Sequence, residues 1–162
     1  MVSLKDIRNI YFIGIGGIGM SAIARYFLSR NVTVSGYDKT ATALSLQLEA
    51  EGATITYTDE VSLLDKGAQL VVFTPAIPNT HQQLNWYRNN HYTVVKRSDV
   101  LQIITADTFN ICIAGTHGKT TISTMVGHLL RSSGYGCNAF LGGISVNYQT
   151  NFWSSTNNVC VV

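Results

Sequence analysis

The chain has 162 residues, 46% of them apolar and only 12% charged, with a formal net charge of +2. That balance describes a packed globular protein and excludes a disordered one. Its lysines and arginines are few and scattered, which excludes a nucleic-acid surface. The length accommodates one large domain, or one domain and part of another.

The three cysteines, Cys112, Cys137 and Cys160, form no CxxC pair and lie in or beside apolar β-like runs. They read as small buried hydrophobes in a reducing compartment. Residues 10–24 are apolar enough to suggest a leader, but Asp6 and Arg8 precede them and glycines interrupt them. The run is too short to span a bilayer. A cytoplasmic protein without a membrane partner is expected.

In chain order, an apolar strand over 10–13 runs into Gly14-Ile15-Gly16-Gly17-Ile18-Gly19. Helical spacing follows over 20–29, then a strand over 32–37 that ends at Asp38. Strand, G-x-G-x-x-G, helix and strand, with an acid about twenty positions past the last glycine, is the setting that a dinucleotide-type phosphate site requires. The pattern next predicts a helix over 42–51 capped by Gly52, a short strand over 54–57 and an apolar strand over 70–73. Thr74-Pro75-Ala76-Ile77-Pro78 then forms a rigid turn, placed where strand-end turns of a parallel sheet line a ligand crevice. A plain loop is the alternative. A helix over 81–89 and a strand over 93–95 follow, and Ser98 or Asp99 is expected to cap a helix over 100–105. Arg97, directly after a strand, either faces a phosphate or sugar or is a solvated surface arginine. Residues 106–110 read as a linker.

The second half restarts the same device. The β-branched run 111–114 ends in Gly115-Thr116-His117-Gly118, and Lys119-Thr120-Thr121 opens a helix expected to run to 133, before Gly134. Glycines let successive N–H groups converge on one anion, and the helix end adds partial positive charge. Lys119 can reach β- and γ-phosphates, and Thr120 can offer its hydroxyl to Mg²⁺. The general P-loop spacing asks for a glycine where Ile113 stands, so this loop is a compact one beginning at Gly115. A strand over 138–141, an irregular stretch over 146–158 and a strand over 159–162 complete the chain. The expected fold class is α/β: a Rossmann-like parallel-sheet domain over 1–106, then the beginning of a P-loop-type ATPase domain over 107–162, incomplete. An uncovered sheet edge in that second part predicts self-association by swapping or dimerisation.

Two nucleotide loops in tandem, the second spelled Gly115 to Thr121, resemble the Mur ligase family. The first loop, Gly14 to Ser21, resembles that of members acting at the first amino-acid-adding step of peptidoglycan synthesis, as do Thr74 to Pro78 and Val95 to Ser98. The resemblance covers nearly the whole chain but only the first part of such an enzyme. It implies an ATP-dependent ligase that phosphorylates the carboxylate of UDP-N-acetylmuramate and lets the amine of L-alanine displace phosphate. It implies UDP-sugar contacts at Gly14, Gly16, Gly17, Gly19, Met20, Ser21, Asp38, Thr74, Ala76, Ile77 and Arg97. ATP phosphates would lie on Gly115, Thr116, His117, Gly118, Lys119, Thr120 and Thr121. Lys119 and His117 are the catalytic candidates, and Thr120 the Mg²⁺ ligand. No residue of the chain is an obvious base for the amine. Related ligases often carry Asn-Pro-Glu after the Ala-Ile segment; here Asn79-Thr80-His81-Gln82 stands instead, and His81 either takes over a sugar contact there or, the preferred reading, is simply exposed. His91 and His128 read as ordinary surface or helix histidines.

By itself the chain is expected to bind UDP-sugar without turnover. Two alternatives remain open. One is an NAD(P)-binding redox or sensor module, which the first loop and Asp38 support equally but which has no use for the second loop. The other is a related ligase that recycles murein peptide.

Overall fold

The structure, a computed structural model, describes residues 4–162. It divides into two compact units, one running to Leu101 and the other from Gln102 to Val162.

The first unit contains β1 (Asn9–Ile13), α1 (Ile18–Leu28), β2 (Thr33–Tyr37), α2 (Ala43–Ala50), β3 (Thr54–Thr56), β4 (Leu70–Phe73), α3 (Gln82–Asn89) and β5 (Val94–Lys96). Its five strands lie in the order β3-β2-β1-β4-β5, all parallel. Ile10, Phe12, Ile13, Leu70, Val71 and Val72 on the central strands are at most 1% exposed. Continuous apolar strands of this kind are what a sheet covered on both faces demands. The chain leaves β1 toward β2 and β3, then returns to place β4 on the other side of β1. The sheet therefore reverses direction between β1 and β4, and a crevice opens above their carboxyl ends. Local signals fix the helices. Thr42 and Ser45 form a reciprocal capping box on α2, and Gly52, at φ +110°, follows its end.

Helix α4 (Arg97–Thr105) starts a turn earlier than the sequence suggests. Asp99 is not its N-cap. Its carboxylate reaches back from the first turn to accept from Lys96 N at 3.1 Å, the return half of a capping box, so Arg97 becomes the first helical residue.

The second unit contains β6 (Phe109–Ile111), α5 (Lys119–Ser132), β7 (Asn138–Ser145), β8 (Thr150–Trp153) and β9 (Val159–Val161), in sheet order β6-β9-β7-β8. Only the β7/β8 pair is antiparallel. Ala139, Leu141, Trp153 and Val161 form its core, with Val126 and Leu130 of α5 packed on them. Three expectations need correction. β7 does not stop at Leu141 but continues through Gly142-Gly143 to Ser145. Residues 146–158 are not irregular throughout, because Phe152 and Trp153 pair with Phe140 and Ala139 and so extend the sheet. The strand expected over 111–114 lies earlier, at 109–111. Cys137 and Cys160 are buried as expected, but Cys112 is exposed. Among the described residues no helix is long and apolar enough to cross a membrane.

Candidate functional site

A cleft of about 600 Å³ opens above the carboxyl ends of the first sheet. The glycine loop after β1 forms its floor. Gly14, at φ +87°, turns the chain, and its N–H and that of Ile15 both donate to Tyr37 O (2.8 and 3.0 Å). A side chain at Gly14 would be strained in that conformation. Beside the loop, the Asp38 carboxylate accepts from Gly16 N at 2.7 Å. The acid that ends β2 thus holds the loop in shape.

Helix α1 begins on this loop, with Gly17 as an N-cap that supplies no side-chain hydrogen bond and no acid in its first turn. Over that helix end lies Arg97. A Cβ built on Gly19 would come within 2.7 Å of Arg97 Nη1, so only glycine lets the guanidinium settle there. A cation at a helix amino terminus faces a like partial charge. Among the described residues no carboxylate pairs with Arg97. Both features suit an anion that neither the helix nor the arginine otherwise has.

The outer wall is the turn after β4, Thr74 to Pro78, continuing into Thr80 and His81. His81 is not exposed, contrary to the sequence reading: it is 4% exposed and caps α3, its Nδ1 accepting from Leu84 N at 3.2 Å. Its ring meets Tyr37 edge-on, with centroids 4.6 Å apart. Burial lowers the His81 pKa from its ordinary value, and nearby Asp59 opposes this. Burial raises the Tyr37 pKa, with Asp59 and Asp38 adding to the effect.

Of the residues expected at a UDP-sugar, Gly14, Gly16, Gly17, Asp38, Thr74, Ala76 and Ile77 meet in this cleft. Gly19 and Arg97 meet each other beside the α1 terminus. Met20 and Ser21 do not face the cleft. Both are buried, and Ser21 Oγ donates to Ile18 O. Tyr37, Lys39, Asp59 and Thr80 line the cleft without having been singled out as contacts, and so does His81, for which a sugar contact was the less favoured alternative. Asp59 lies three residues past the end of β3, in the turn at that strand's carboxyl end, and that position was the available signal.

In the second unit Gly118 is the N-cap of α5 at φ +77°, again with no side-chain cap. Lys119 Nζ folds back to donate to Gly115 O (2.6 Å) and Thr116 O (3.2 Å). Gly115, Thr116, His117, Thr120 and Thr121 are exposed around it. Thr120 Oγ1 lies against β7, 2.9 Å from where a Cβ on Gly142 would stand. Its hydroxyl is an oxygen donor for a hard cation. Among the described residues no group of three or more His, Cys, Asp or Glu could hold a metal by itself.

Comparison with known proteins adds the following. A model of the Mur ligase family, catalytic domain, matches residues 9–108. The chain is 48% identical over 166 residues to a UDP-N-acetylmuramate–L-alanine ligase of Phocaeicola vulgatus, covering 99% of this chain and 36% of that protein. It is 50% identical over 155 residues to one from Cytophaga hutchinsonii, covering 93% of this chain and 33% of that protein. It thus spans about a third of the curated relatives it matches. Among solved structures, a UDP-N-acetylmuramate–alanine ligase from Thermotoga maritima superposes with a TM-score of 0.85 at 28% identity, covering 94% of this chain and 36% of that one. A UDP-N-acetylmuramate:L-alanyl-gamma-D-glutamyl-meso-diaminopimelate ligase from Neisseria meningitides shares the fold, with a TM-score of 0.87 at 24% identity over 96% of this chain and 52% of that one.

Proposed function

This chain belongs to the Mur ligase family, and from that premise we propose that it is the amino-terminal part of an ATP-dependent ligase joining L-alanine to UDP-N-acetylmuramate through an acyl phosphate. The cleft of the first unit takes the UDP-sugar, and the loop from Gly115 to Thr121 takes the ATP phosphates. In the first step the terminal phosphoryl group of ATP passes to the muramyl carboxylate and ADP leaves. In the second, the alanine amine attacks the acyl carbonyl and phosphate departs. Phosphoryl transfer asks mainly for positioning and charge stabilisation. Converging N–H groups, Lys119 and the α5 terminus supply these, with His117 inside the same loop. Bound Mg²⁺ neutralises phosphate charge, and Thr120 is the hydroxyl this chain offers it.

One observation carries the reading: the guanidinium of Arg97 lies on the uncapped amino terminus of α1, at the glycine loop. Among the described residues no carboxylate pairs with Arg97 and none lies in the first turn of α1, and two such positive elements suit a diphosphate. The domain limits proposed from the sequence, 1–106 and 107–162, bracket the two loops separately.

Calorimetry with UDP-N-acetylmuramate, paired with phosphate release in the presence of ATP and L-alanine, tests both halves. Binding without turnover is expected. Absence of UDP-sugar binding refutes the cleft assignment, and robust turnover refutes the expected inactivity of this chain alone. A thermal shift with NAD equal to that with UDP-sugar would favour the redox-module alternative. Self-association is proposed for the second unit, where Ile122, Met125 and Leu129 of α5 are exposed. A monomeric mass by light scattering in dilute solution would count against it.

A further inference from the structure

Asp59 follows β3 and faces the cleft with a side chain 24% exposed. Its carboxylate closes the amino terminus of α3. Oδ2 accepts from Gln82 N at 2.8 Å and Oδ1 from Gln83 N at 3.0 Å. Leu84 N donates to His81 Nδ1, and Asn85 N donates to His81 O at 3.1 Å. The first four N–H groups of α3 are therefore all engaged, and this helix end has no donor left for a phosphate. Each carboxylate oxygen keeps a further lone pair. This end of the cleft thus presents acceptors, and whatever meets it must bring a donor.

The two backbone N–H groups of Gln82 and Gln83 hold the acid in place. His81 Nδ1, itself an acceptor, stands 3.2 Å from Asp59 Oδ1 without donating to it, and its ring meets Tyr37 edge-on. Lys39 and Thr80, both donors, line the same cleft, Lys39 next to Asp38 and Thr80 next to His81 in the chain.

Strand order gives the direction of the ligand. The glycine loop follows β1, Asp38 follows β2 and Asp59 follows β3, in neighbouring positions of the sheet. Two strand spacings separate the β1 and β3 ends, about 10 Å, a nucleoside's reach from phosphate to base edge. With the diphosphate on the loop and α1, the ribose falls beside Asp38 and the base edge falls at Asp59.

We propose that Asp59 reads the nucleobase: it accepts the imide N–H of a uracil-type pyrimidine, and Lys39 and Thr80 donate to the two flanking ring carbonyls. The assignment rests on the reading that the cleft holds a uridine diphosphate sugar, and it adds how that nucleotide is selected. Cytosine would present a ring nitrogen lone pair to the carboxylate, acceptor against acceptor, and N3-methyluracil would present a methyl group.

The test is calorimetric titration of the chain with UDP, CDP, N3-methyl-UDP and GDP, since guanine also carries an N–H at its edge. UDP is expected to bind at least ~10-fold more tightly than each of the others, the cost of a lost hydrogen bond to a charged group. In Asp59→Asn, whose amide can offer either donor or acceptor, the gap between UDP and CDP should shrink to within about 3-fold. A melt of the variant checks that it folds. The N3-methyl arm needs no variant. UDP binding accompanied by CDP, GDP or N3-methyl-UDP binding within about 3-fold of it overturns the assignment of Asp59 and leaves the cleft reading standing. No binding of UDP overturns the cleft reading and this assignment with it.

Discussion

Gly19→Ala separates stability from binding, because the structure predicts opposite signs for the two. The added methyl would stand 2.7 Å from Arg97 Nη1, 3.3 Å from Cζ and 3.5 Å from Cδ. Those atoms belong to an exposed, flexible side chain, which can swing away at little cost. Gly19 sits in the first turn of α1, and replacing glycine by alanine in a helix gains roughly 0.5–1 kcal/mol. The variant should therefore melt at the wild-type temperature or up to about 4 °C above it. Binding should move the other way. Displacing the guanidinium removes a charge-assisted contact to the diphosphate, worth about 1.5–3 kcal/mol, or roughly 10–100-fold in the Kd for UDP.

The assays are a thermal melt and calorimetry with UDP, run also on Arg97→Ala and on the double variant. If glycine matters because it admits Arg97, the two substitutions are coupled by at least ~1 kcal/mol and the second adds little to the first. A UDP affinity unchanged within about 2-fold would refute the placement of the phosphate, as would a loss of stability beyond ~1 kcal/mol. Additive losses would mean that Gly19 approaches the ligand directly, without Arg97.

Other consequences follow from particular contacts. His81 titrates below its ordinary value of 6.5 because it is buried, so protonation favours the unfolded chain. Its contribution is full above about pH 6.5 and is lost as pH falls through the lower folded value. His81→Asn keeps an N-cap acceptor and should flatten that acid limb in urea melts; an unchanged limb would place the titration elsewhere. In Gly127→Ala the new methyl would meet Trp153 Cζ2 at 2.7 Å, inside a rigid core, and denaturant melts should show the second unit destabilised by about 1–3 kcal/mol. Lys119→Ala removes only exposed contacts to the loop carbonyls. The melting temperature should hold while ATP binding, followed by calorimetry, weakens at least ~10-fold.

Periodicity and glycine spacing were enough to read the strands of the first unit, because each is either fully apolar or bounded by turn residues. Both glycine loops, Asp38 and the Thr74 to Pro78 turn were legible for the same reason: they sit at strand ends, where the chain must change direction. What escaped was set by partners distant in sequence. β8 was hidden because Thr150 and Asn151 look like loop residues until Phe152 and Trp153 find Phe140 and Ala139 across the sheet. His81 looked exposed because nothing local reveals that Tyr37, far earlier in the chain, covers it. Ser98 or Asp99 is the cap the sequence suggests, and only the early start of α4 puts both inside its first turn and makes Asp99 the residue that reaches back. Asp59 lies in the turn after β3, a little past the strand, and its carboxylate also accepts from a helix that begins well after it.

The helices sort themselves by how their first turns are closed. Thr42 caps α2 from within the chain's own turn, and His81 caps α3 with help from Asp59. The two helices that follow glycine loops, α1 and α5, have glycine N-caps, no side-chain bond and no acid in the first turn. Leaving those ends open forgoes a favourable cap and dipole contact, worth about 0.3–1 kcal/mol for an acid placed there. Gly17 allows the choice to be reversed. Its φ of −65° and ψ of 143° suit any N-cap residue, and a Cβ there would meet nothing closer than 3.5 Å. Gly118, at φ +77°, offers no such option. Gly17→Asp should therefore fold with equal or higher stability, and should set its own carboxylate where the diphosphate belongs. UDP binding should fall at least ~100-fold, by occupancy and by like-charge repulsion. A Gly17→Asp chain that melts as the wild type does and still binds UDP within about 3-fold would show that the α1 terminus is not the phosphate seat. Its open first turn would then need another explanation.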